Sequence, residues 1–551
     1  MSWALLAALL GCGAPAPPEA LPAPVAPQVA VDQALGYDAI YFALVDRFAN
    51  GDPSNDGAVD PEDPQAFHGG DLAGVIEHLD ALEAMGIRTV WLSPVFQMRT
   101  EKFMGHGAFH GYWVQDLGQV EPRFGTEAEL VALSEALHAR GMRLYLDMIF
   151  NHVSFDAPLA QEHPEWFHPA LPIEDWDDPA QAMEREVHGL KDFDQSNPEV
   201  YQFLLERALH WVEVVQPDGF RIDAVRHMPL PFQAQIMEDL RQRSGRPLAS
   251  LGEFFDGDPG RLSAAWVGGG FDSVFDFPLR YAMIDVFCHD RDVGRLAAVL
   301  SADGVYPDAR RIATFLDNHD VSRVTTECGG DVERVGRAID FLTAARGVPV
   351  IFQGTEVGQE GAGEPENRAD MRFGEAHPLE ARIRDSLARR RQHVALTEGH
   401  TRLVALEPGL LVFDRVSEDE TARVAVNTGD SPRSFGGAQL PVGVSASWGP
   451  GEPWAAPPTR EVVLRVSAAE GDRLVMTGTG PLLGHWGPSA GVPLAWGEGG
   501  WEAHLEVPEG TALEFKLVRM GPDREATWQD GDNRYLFVGP GAGPLEAAVA
   551  W

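Results

Sequence analysis

Residues 219–227 read GFRIDAVRH, a short apolar run that ends in an aspartate between two arginines. The same pattern of an apolar run followed by an aspartate recurs in RLYLDMIFNH at residues 143–152 and in RIATFLDNHD at residues 311–320. Eight such runs alternate with helical stretches, and they cover residues 40–45, 89–92, 143–149, 219–225, 248–254, 273–277, 311–316 and 348–352. Eight strands alternating with helices predict an α/β fold whose parallel sheet closes into a (β/α)₈ barrel.

The rest of the chain divides by composition. We predict a barrel over residues 32–390, with a small subdomain inserted at residues 151–197, because that stretch is too long for a simple loop. Short alternating runs beyond it predict two all-β sandwich domains, residues 395–450 and 461–551. The stretch GEPWAAPPTR, residues 451–460, has the composition of a linker.

The charge balance excludes one large class of partner. Across 551 residues the formal net charge is −40, which repels phosphate backbones, so we expect no nucleic-acid partner. Fourteen Trp and 28 Phe instead supply aromatic surface for stacking on flat, uncharged molecules.

We expect the protein to be a monomer.

The N-terminal residues suggest export. Residues 1–12 contain a short apolar run ending in Leu-Leu-Gly-Cys12, which resembles the lipobox of bacterial lipoproteins. No Lys or Arg precedes the run, so a meaningless apolar start or a mis-assigned start codon remains an alternative. Residues 13–31, rich in Pro and Ala, are typical of an extended tether. We therefore expect a secreted protein or a lipoprotein anchored at Cys12. The other two cysteines, Cys288 and Cys328, are expected to be buried thiols.

Three acids are predicted to meet at the mouth of the barrel. Asp223 and Glu253 lie near the ends of the fourth and fifth apolar runs, and Asp320 follows the seventh. Barrel enzymes place their chemistry at these strand ends. Two carboxylates flanking a sugar bond are what retaining glycoside hydrolysis requires. Any one acid could instead be a salt-bridge partner, but several coordinated strand ends favour a catalytic role.

Neighbouring residues suggest separate roles for two of these acids. Arg221 lies two residues before Asp223 and faces the same way along a strand, so it can keep Asp223 ionised as a nucleophile. Glu253 is followed by Phe254 and Phe255. An apolar neighbourhood raises a carboxyl pKa toward the value that a general acid needs.

These strand ends resemble the signature regions of the α-amylase family, glycoside hydrolase family 13. Residues 86–94 (GIRTVWLSP), 190–194 (LKDFD) and 354–356 (GTE) support the resemblance, which covers roughly residues 37–458. It implies that Asp223 is the nucleophile, Glu253 the general acid/base and Asp320 the transition-state stabiliser. It further implies that the substrate is bound by Tyr112, His152, Arg221, Arg226, His319, Glu364 and Arg368.

The resemblance also implies structural calcium, at one or two sites. The first predicted site consists of Asn50, Asp52, Asn55, Asp56, Gly69 and Asp71, in a loop similar to one in cyclodextrin glucanotransferases. An ordinary Asn/Asp-rich turn is the alternative there. The second predicted site consists of Asn151, Asp192 and the backbone carbonyl of His227.

The last domain resembles the family 20 starch-binding module. The resemblance implies that Trp486 and Trp528 stack on sugar rings and that Lys516 and Asn533 bond to their hydroxyls. A pair of Trp on a small β-domain could otherwise belong to its core. Glu470 occupies the position where the module's second starch site normally has a Tyr, so we expect that site to be weak or absent.

The sequence motifs indicate the enzyme family more narrowly than they indicate the exact reaction. Glu364 and Arg368 resemble the donor-side loop of glucanotransferases and maltogenic amylases, whereas His188 stands where transferases carry a Tyr or Phe. We therefore expect retaining endo-hydrolysis of α-1,4-glucosidic bonds in starch by an α-amylase. A cyclodextrin glucanotransferase or maltogenic amylase is the alternative. A non-catalytic glycan-binding lipoprotein would have lost a catalytic acid, and none is missing.

Overall fold

The computed structural model describes residues 35–176, 178–374, 376–468, 473–497, 500–521 and 525–551. A parallel barrel dominates it. Its strands are β1 (Ile40–Ala43), β2 (Thr89–Leu92), β3 (Arg143–Met148), β4 (Gly219–Ile222), β5 (Ala249–Gly252), β6 (Ser273–Val274), β7 (Ala313–Phe315) and β8 (Val348–Phe352). Each lies within an apolar run of the sequence, so the predicted (β/α)₈ fold is confirmed.

The strand order shows how the barrel closes. The hydrogen-bonded order is β6-β5-β4-β3-β2-β1-β8-β7, and a parallel bridge between Phe275 and Ala313 joins the two ends. Asp147, at the end of β3, is in register with Arg221 on β4, which is in register with Leu251 on β5. The polar ends of these strands therefore lie side by side at one rim.

Helices cover the outside of the barrel and the connections. They are α1 (Leu72–Glu77), α2 (Leu79–Met85), α3 (Glu127–Ala139), α4 (Pro158–Glu162), α5 (Pro179–Glu184), α6 (Pro198–Val214), α7 (Leu230–Ser244), α8 (Pro259–Gly268), α9 (Phe277–Phe287), α10 (Gly294–Ser301), α11 (Val324–Glu327), α12 (Val332–Ala344), α13 (Pro378–Gln392) and α14 (Val394–Glu398). Many begin at a side-chain cap. Asp258, Asp276 and Asp331, for example, each accept a backbone N–H from the first turn of a helix.

Two small antiparallel ribbons build up the rim. Phe96–Met98 pairs with Val114–Val120 in the connection between β2 and β3. His152–Val153 pairs with Lys191–Asp192, which ties the two ends of the predicted inserted segment together. Helices α4 and α5 lie between these two strands.

Two antiparallel domains follow the barrel. The first contains β9 (His400–Glu407), β10 (Leu410–Val416), β11 (Glu420–Asn427), β12 (Arg433–Phe435), β13 (Ala438–Leu440) and β14 (Gly443–Pro450). Its main sheet has the order β9-β10-β11-β14, and β12 pairs with β13. Residues 451–458 form no helix or strand.

The last domain packs two sheets around its own core. Its strands are β15 (Thr459–Ser467), β16 (Leu474–Gly478), β17 (Val492–Pro493), β18 (Ala495–Gly497), β19 (Gly500–Pro508), β20 (Thr511–Met520), β21 (Ala526–Trp528), β22 (Arg534–Val538) and β23 (Leu545–Ala550). One sheet has the order β18-β19-β15-β23, and the other has the order β17-β16-β20-β21 with β22 also on β20. Leu464, Met476 and Phe515 are among the buried residues of this core. The predicted all-β architecture is confirmed.

The cysteine prediction needs a correction. Cys288, just after α9, and Cys328, just after α11, are joined by a disulfide rather than being free thiols. Two buried cysteines 40 residues apart in sequence carry no sign of pairing until the helices are packed. Cys12 and Glu470 lie outside the described residues. In the part of the chain that is described, no helix is long and apolar enough to cross a membrane.

Candidate functional site

One buried guanidinium joins three strand ends at the rim of the barrel. Arg221 Nη1 lies 2.6 Å from Asp223 Oδ1 and 2.9 Å from Asp147 Oδ1. Its Nη2 lies 2.7 Å from Glu253 Oε1. Arg221 is 1% exposed, so its charge acts in a region of low dielectric constant. The structure thus places two of the predicted catalytic acids on the same arginine.

Asp147 is also part of this network, although no role was predicted for it from the sequence. Its Oδ2 accepts hydrogen bonds from the Tyr112 hydroxyl at 2.9 Å and from Trp91 Nε1 at 3.1 Å. It therefore fixes the Tyr112 ring as well as Arg221. The signal was available in the sequence, because Asp147 is an acid at the end of an apolar run, as Asp223 is.

Glu253 has the properties of a proton donor. Burial raises its pKa well above the ordinary value, and the negative charges of Asp223 and Asp320 add to this effect, while Arg221 opposes it. Its Oε2 accepts the backbone N–H of Ala224 at 3.1 Å. Ala224 has a left-handed backbone (φ 52°), a costly conformation for a residue with a Cβ, and such residues cluster at functional sites.

Asp320 approaches from the loop after β7. Arg368 Nη2 lies 3.2 Å from its Oδ1, and Arg368 Nε donates to the His319 carbonyl at 2.9 Å. Glu364 Oε2 lies 3.1 Å from Arg368 Nη1. The predicted donor-side pair, Glu364 and Arg368, therefore forms one ion-pair cluster with the third predicted acid.

Two neutral imidazoles, those of His152 and His319, also belong to this site. Burial lowers the pKa of His152 and lowers that of His319 to about 3. His152 Nε2 lies 3.1 Å from the Tyr112 carbonyl, and the His319 ring stacks on Tyr112 with centroids 5.0 Å apart. Among the described residues, His319 Nδ1 is buried without a hydrogen-bond partner, and His319 Nε2 lies 3.3 Å from Asp320 Oδ2.

A cleft of about 930 Å³ is lined by the three predicted catalytic acids and by Tyr112, His152, His319, Glu364 and Arg368, whereas Arg221 lies buried behind it. Trp176 of the inserted segment also lines it, and its ring centroid lies 5.7 Å from that of His188. The Trp176 carbonyl accepts from Arg226 Nη2 at 2.6 Å, so Arg226 anchors the inserted segment as well as facing the cleft. Phe255 is 41% exposed at the same cleft. The aromatic role of Trp176 was not predicted, since nothing in the sequence places the inserted segment over the cleft.

The residues of the first predicted calcium site lie close together, and most of their polar atoms have partners, although Asn55 Oδ1 is buried without a hydrogen-bond partner among the described residues. The Asp71 carboxylate accepts N–H donors from Gly51, Asp52, Asn55 and Gly74. Asn50 Nδ2 donates to Asp56 Oδ1 at 2.8 Å, and the Gly69 Cα faces that same pair. Asp52 turns its own carboxylate to the Ser54 N–H. Within the described residues, no group of three or more His, Cys, Asp or Glu side chains could hold a metal ion.

The second predicted site offers oxygens that lack partners. Asn151 Oδ1 and Asp192 Oδ1 are both buried, and neither has a hydrogen-bond partner among the described residues. The other Asp192 oxygen lies 2.7 Å from His168 Nδ1. His227 Nδ1 lies 2.8 Å from the carbonyl of Ala182, a residue of the inserted segment. Buried, unsatisfied oxygens are the donors that a hard cation such as Ca²⁺ prefers.

The last domain presents its two predicted aromatic platforms together. The ring centroids of Trp486 and Trp528 lie 6.5 Å apart, and Trp528 is 40% exposed. Trp486 itself has a left-handed backbone (φ 61°). Asn533 Nδ2 donates to Glu514 Oε1 at 2.8 Å, and Lys516 lies on β20, in register with Thr477. An indole pair of this kind, with Trp528 exposed and Trp486 half-buried, can stack on a flat apolar face of a ligand.

The geometry supports glycosidic bond cleavage. Asp223, Asp320 and Glu253, whose pKa is raised by burial, line one cleft. Asp223 can attack a sugar carbon while Glu253 protonates the leaving oxygen. The neutral imidazoles and Arg368 can bond to sugar hydroxyls around them.

Comparisons with known proteins agree with this chemistry. Residues 42–394 match the family model "Alpha amylase, catalytic domain", and residues 459–544 match "Starch binding domain". The chain is 31% identical over 413 residues to the β/α-amylase of Paenibacillus polymyxa, an alignment that covers 71% of this chain and 33% of that protein. It is 25% identical over 603 residues to the cyclomaltodextrin glucanotransferase of Klebsiella oxytoca, covering 90% of this chain and 91% of that one.

A solved structure extends the similarity to the whole fold. The α-amylase of Geobacillus thermoleovorans in complex with acarbose superposes with a TM-score of 0.67 at 29% identity. That superposition covers 87% of this chain and 98% of the other. The chain therefore belongs to the α-amylase family, glycoside hydrolase family 13, and ends in a family 20 starch-binding domain, as its strand-end motifs predict.

Proposed function

We propose that this enzyme hydrolyses α-1,4-glucosidic bonds within starch and related α-glucans, with retention of configuration. The observation that carries the proposal is the arginine shared by the nucleophile and the acid: Arg221 contacts Asp223 at 2.6 Å and Glu253 at 2.7 Å. Contact with one guanidinium fits the short separation of retaining enzymes, about 5–5.5 Å, better than the roughly 6.5–9.5 Å of inverting ones.

The different surroundings of Glu253 and Asp223 give the two acids different roles. Burial raises the pKa of Glu253 and so favours its protonated form, which donates a proton to the leaving glycosidic oxygen. Asp223 forms the glycosyl intermediate, and Glu253, now a base, activates the water that releases it. Asp320 is held by Arg368. It accepts hydrogen bonds from hydroxyls of the sugar whose ring carries positive charge in the transition state.

A glucanotransferase or maltogenic amylase activity is the second candidate. The Glu364–Arg368 pair in the cleft favours it, as does the indole of Trp176 beside His188, because an aromatic wall can hold an acceptor sugar in place of water. The similarity to a cyclomaltodextrin glucanotransferase over 90% of the chain also supports it. His188 at the predicted centre of the cleft favours hydrolysis.

Product analysis over time on soluble starch separates the two. Endo-hydrolysis gives linear maltooligosaccharides of mixed length, released in the α configuration. Cyclic dextrins or a single short product would assign the transferase or maltogenic activity instead. No release of any sugar would remove both candidates.

We propose calcium as a structural ion of this enzyme. Asn151, Asp192 and the backbone carbonyl of His227 would hold it, because the first two carry buried acceptor oxygens without partners in the described structure. The loop of Asn50 to Asp71 is the second candidate position. Bound between Asn151, Asp192 and His227, calcium would tie the inserted segment to the barrel and take no part in bond cleavage.

We also propose export with lipid attachment at Cys12, supported by the Leu-Leu-Gly-Cys sequence. Labelling cells with a radioactive fatty acid tests this. Incorporation that disappears in Cys12→Ser supports the anchor. Equal labelling of the two proteins, or none, contradicts it.

A further inference from the structure

The starch-binding domain is held directly against the barrel by polar contacts. His485 Nδ1 lies 2.6 Å from Asp258 Oδ2, at the start of α8. Arg295 Nη1, on α10, lies 3.1 Å from Glu514 Oε1 on β20. Glu514 is 2% exposed and the Arg295 side chain is 30% exposed, so this interdomain ion pair is partly buried. Such contacts define a fixed orientation, unlike a flexible tether.

Two glycines of the barrel allow this close approach. A Cβ on Gly260 would lie 2.3 Å from His485 Cε1, and a Cβ on Gly294 would lie 2.6 Å from Tyr535 Cγ. Both distances are well inside van der Waals contact, so a larger residue would push the domain away. The two surfaces are therefore complementary at the level of single side chains.

Between the two domains lies a cavity of about 230 Å³. Trp486 and His485 line it from the starch-binding domain, and Tyr281 and Arg261 line it from the barrel. Pockets for drug-sized ligands are larger, roughly 300–1,000 Å³, so this one suits one sugar ring or two.

The walls have the chemistry of a sugar site. Trp486 is one of the two indoles predicted to stack on glucose, and its ring also neighbours Trp528. Across the cavity, the Arg261 side chain is 66% exposed and is anchored through Nε to the buried Asp256, 3.0 Å away. A guanidinium carries several N–H donors in one plane, which can bond to neighbouring hydroxyls.

We propose that this cavity is a glucan subsite shared by both domains, in which Arg261 of the barrel binds the same α-glucan chain that stacks on Trp486. The inference rests on the proposed action on starch. Arg261 follows Glu253 closely along the chain, because the loop after β5 carries Glu253 and leads directly into α8, which carries Arg261. A chain bound here is held beside the loop that supplies the general acid.

The test uses the full-length Glu253→Gln variant as a non-cleaving parent, titrated calorimetrically with maltoheptaose. Adding Arg261→Ala is expected to raise the Kd three- to tenfold, although Arg261 lies outside the starch-binding domain. Adding Arg243→Ala, an exposed arginine on α7, serves as the matched control and is expected to leave the Kd within twofold.

A crystal structure of the parent with maltoheptaose gives a readout that a merely structural role would not produce. Glucosyl density between Trp486 and Arg261 supports the subsite. An unchanged Kd in the Arg261→Ala variant, no binding by the parent, or a glucan bound to the starch-binding domain away from this cavity each overturns it. Wild-type hydrolysis of soluble starch, measured in parallel, separates the two proposals: if hydrolysis occurs and the Kd is unchanged, only the shared subsite fails.

Discussion

Arg221 Nη2 lies 2.7 Å from Glu253 Oε1, although a positive charge favours the ionised form that a general acid must avoid. Burial outweighs this attraction, and the pKa of Glu253 still lies well above its ordinary value. The same arginine contacts Asp223, so one charge serves a nucleophile and an acid at once. The pKa of Glu253 therefore depends on burial and on the three acids being close together, both of which oppose the effect of Arg221.

Glu253→Gln should lower kcat by about 10²–10⁴-fold, because the leaving oxygen loses its proton donor. Binding to starch granules should be unchanged, since the starch-binding domain is untouched. Initial rates on soluble starch and a granule pull-down measure the two effects. Glu238→Gln, on the exposed face of α7, is the control and should retain full activity. Full activity in Glu253→Gln would show that the acid has been misassigned.

Asp320→Asn should move the alkaline limb of the kcat/KM profile to lower pH. The charge of Asp320 helps to raise the pKa of Glu253, so removing it favours ionised Glu253, and the protonated form that donates is lost earlier as pH rises. Overall activity should fall as well, which calls for a fluorogenic substrate. The limb in Glu238→Gln should match the wild type. An alkaline limb that stays in place, or moves to higher pH, would contradict this electrostatic coupling.

Trp486→Ala combined with Trp528→Ala should reduce adsorption to starch granules about tenfold or more, at roughly 1 kcal/mol for each lost platform. Turnover of short soluble oligosaccharides should remain close to wild type, because both indoles lie outside the cleft. Trp454→Ala, which removes another partly exposed indole, is the matched control. Normal adsorption by the double variant would locate starch binding elsewhere.

Reducing the Cys288–Cys328 disulfide should destabilise the barrel by about 2–4 kcal/mol, the usual effect of closing a loop of this size. Urea unfolding with and without dithiothreitol measures it. The Cys288→Ser, Cys328→Ser double variant should show the reduced stability under both conditions. If reductant destabilises the double variant as much as the wild type, the effect does not come from this bond.

Removing calcium with EGTA should lower the Tm, and excess Ca²⁺ should restore it, because an ion that binds only the folded state stabilises it by mass action. Asn151→Ala should abolish this response by removing a buried oxygen of the proposed site. Asn50→Ala should preserve it. The reverse pattern would move the ion to the loop of Asn50 to Asp71, and a Tm indifferent to EGTA in the wild type would argue against structural calcium.

The sequence by itself determined the barrel, the two β-domains and the family. Local patterns suffice for this, because each strand is an apolar run and the acids sit at the C-terminal ends, which a parallel barrel must gather at one rim. Asp223, Glu253 and Asp320 could be assigned for that reason. Asp147 follows the same rule and could have been found in the same way.

Only the tertiary structure decided what depends on distant segments meeting. The Cys288–Cys328 bond requires α9 and α11 to pack. Trp176 reaches the cleft because the inserted segment folds over the rim, and Arg226 holds it there. The cavity between Trp486 and Arg261 exists only because Gly260 and Gly294 let two domains approach. Local sequence patterns do not carry these contacts, since their residues lie tens to hundreds of positions apart and meet through packing alone.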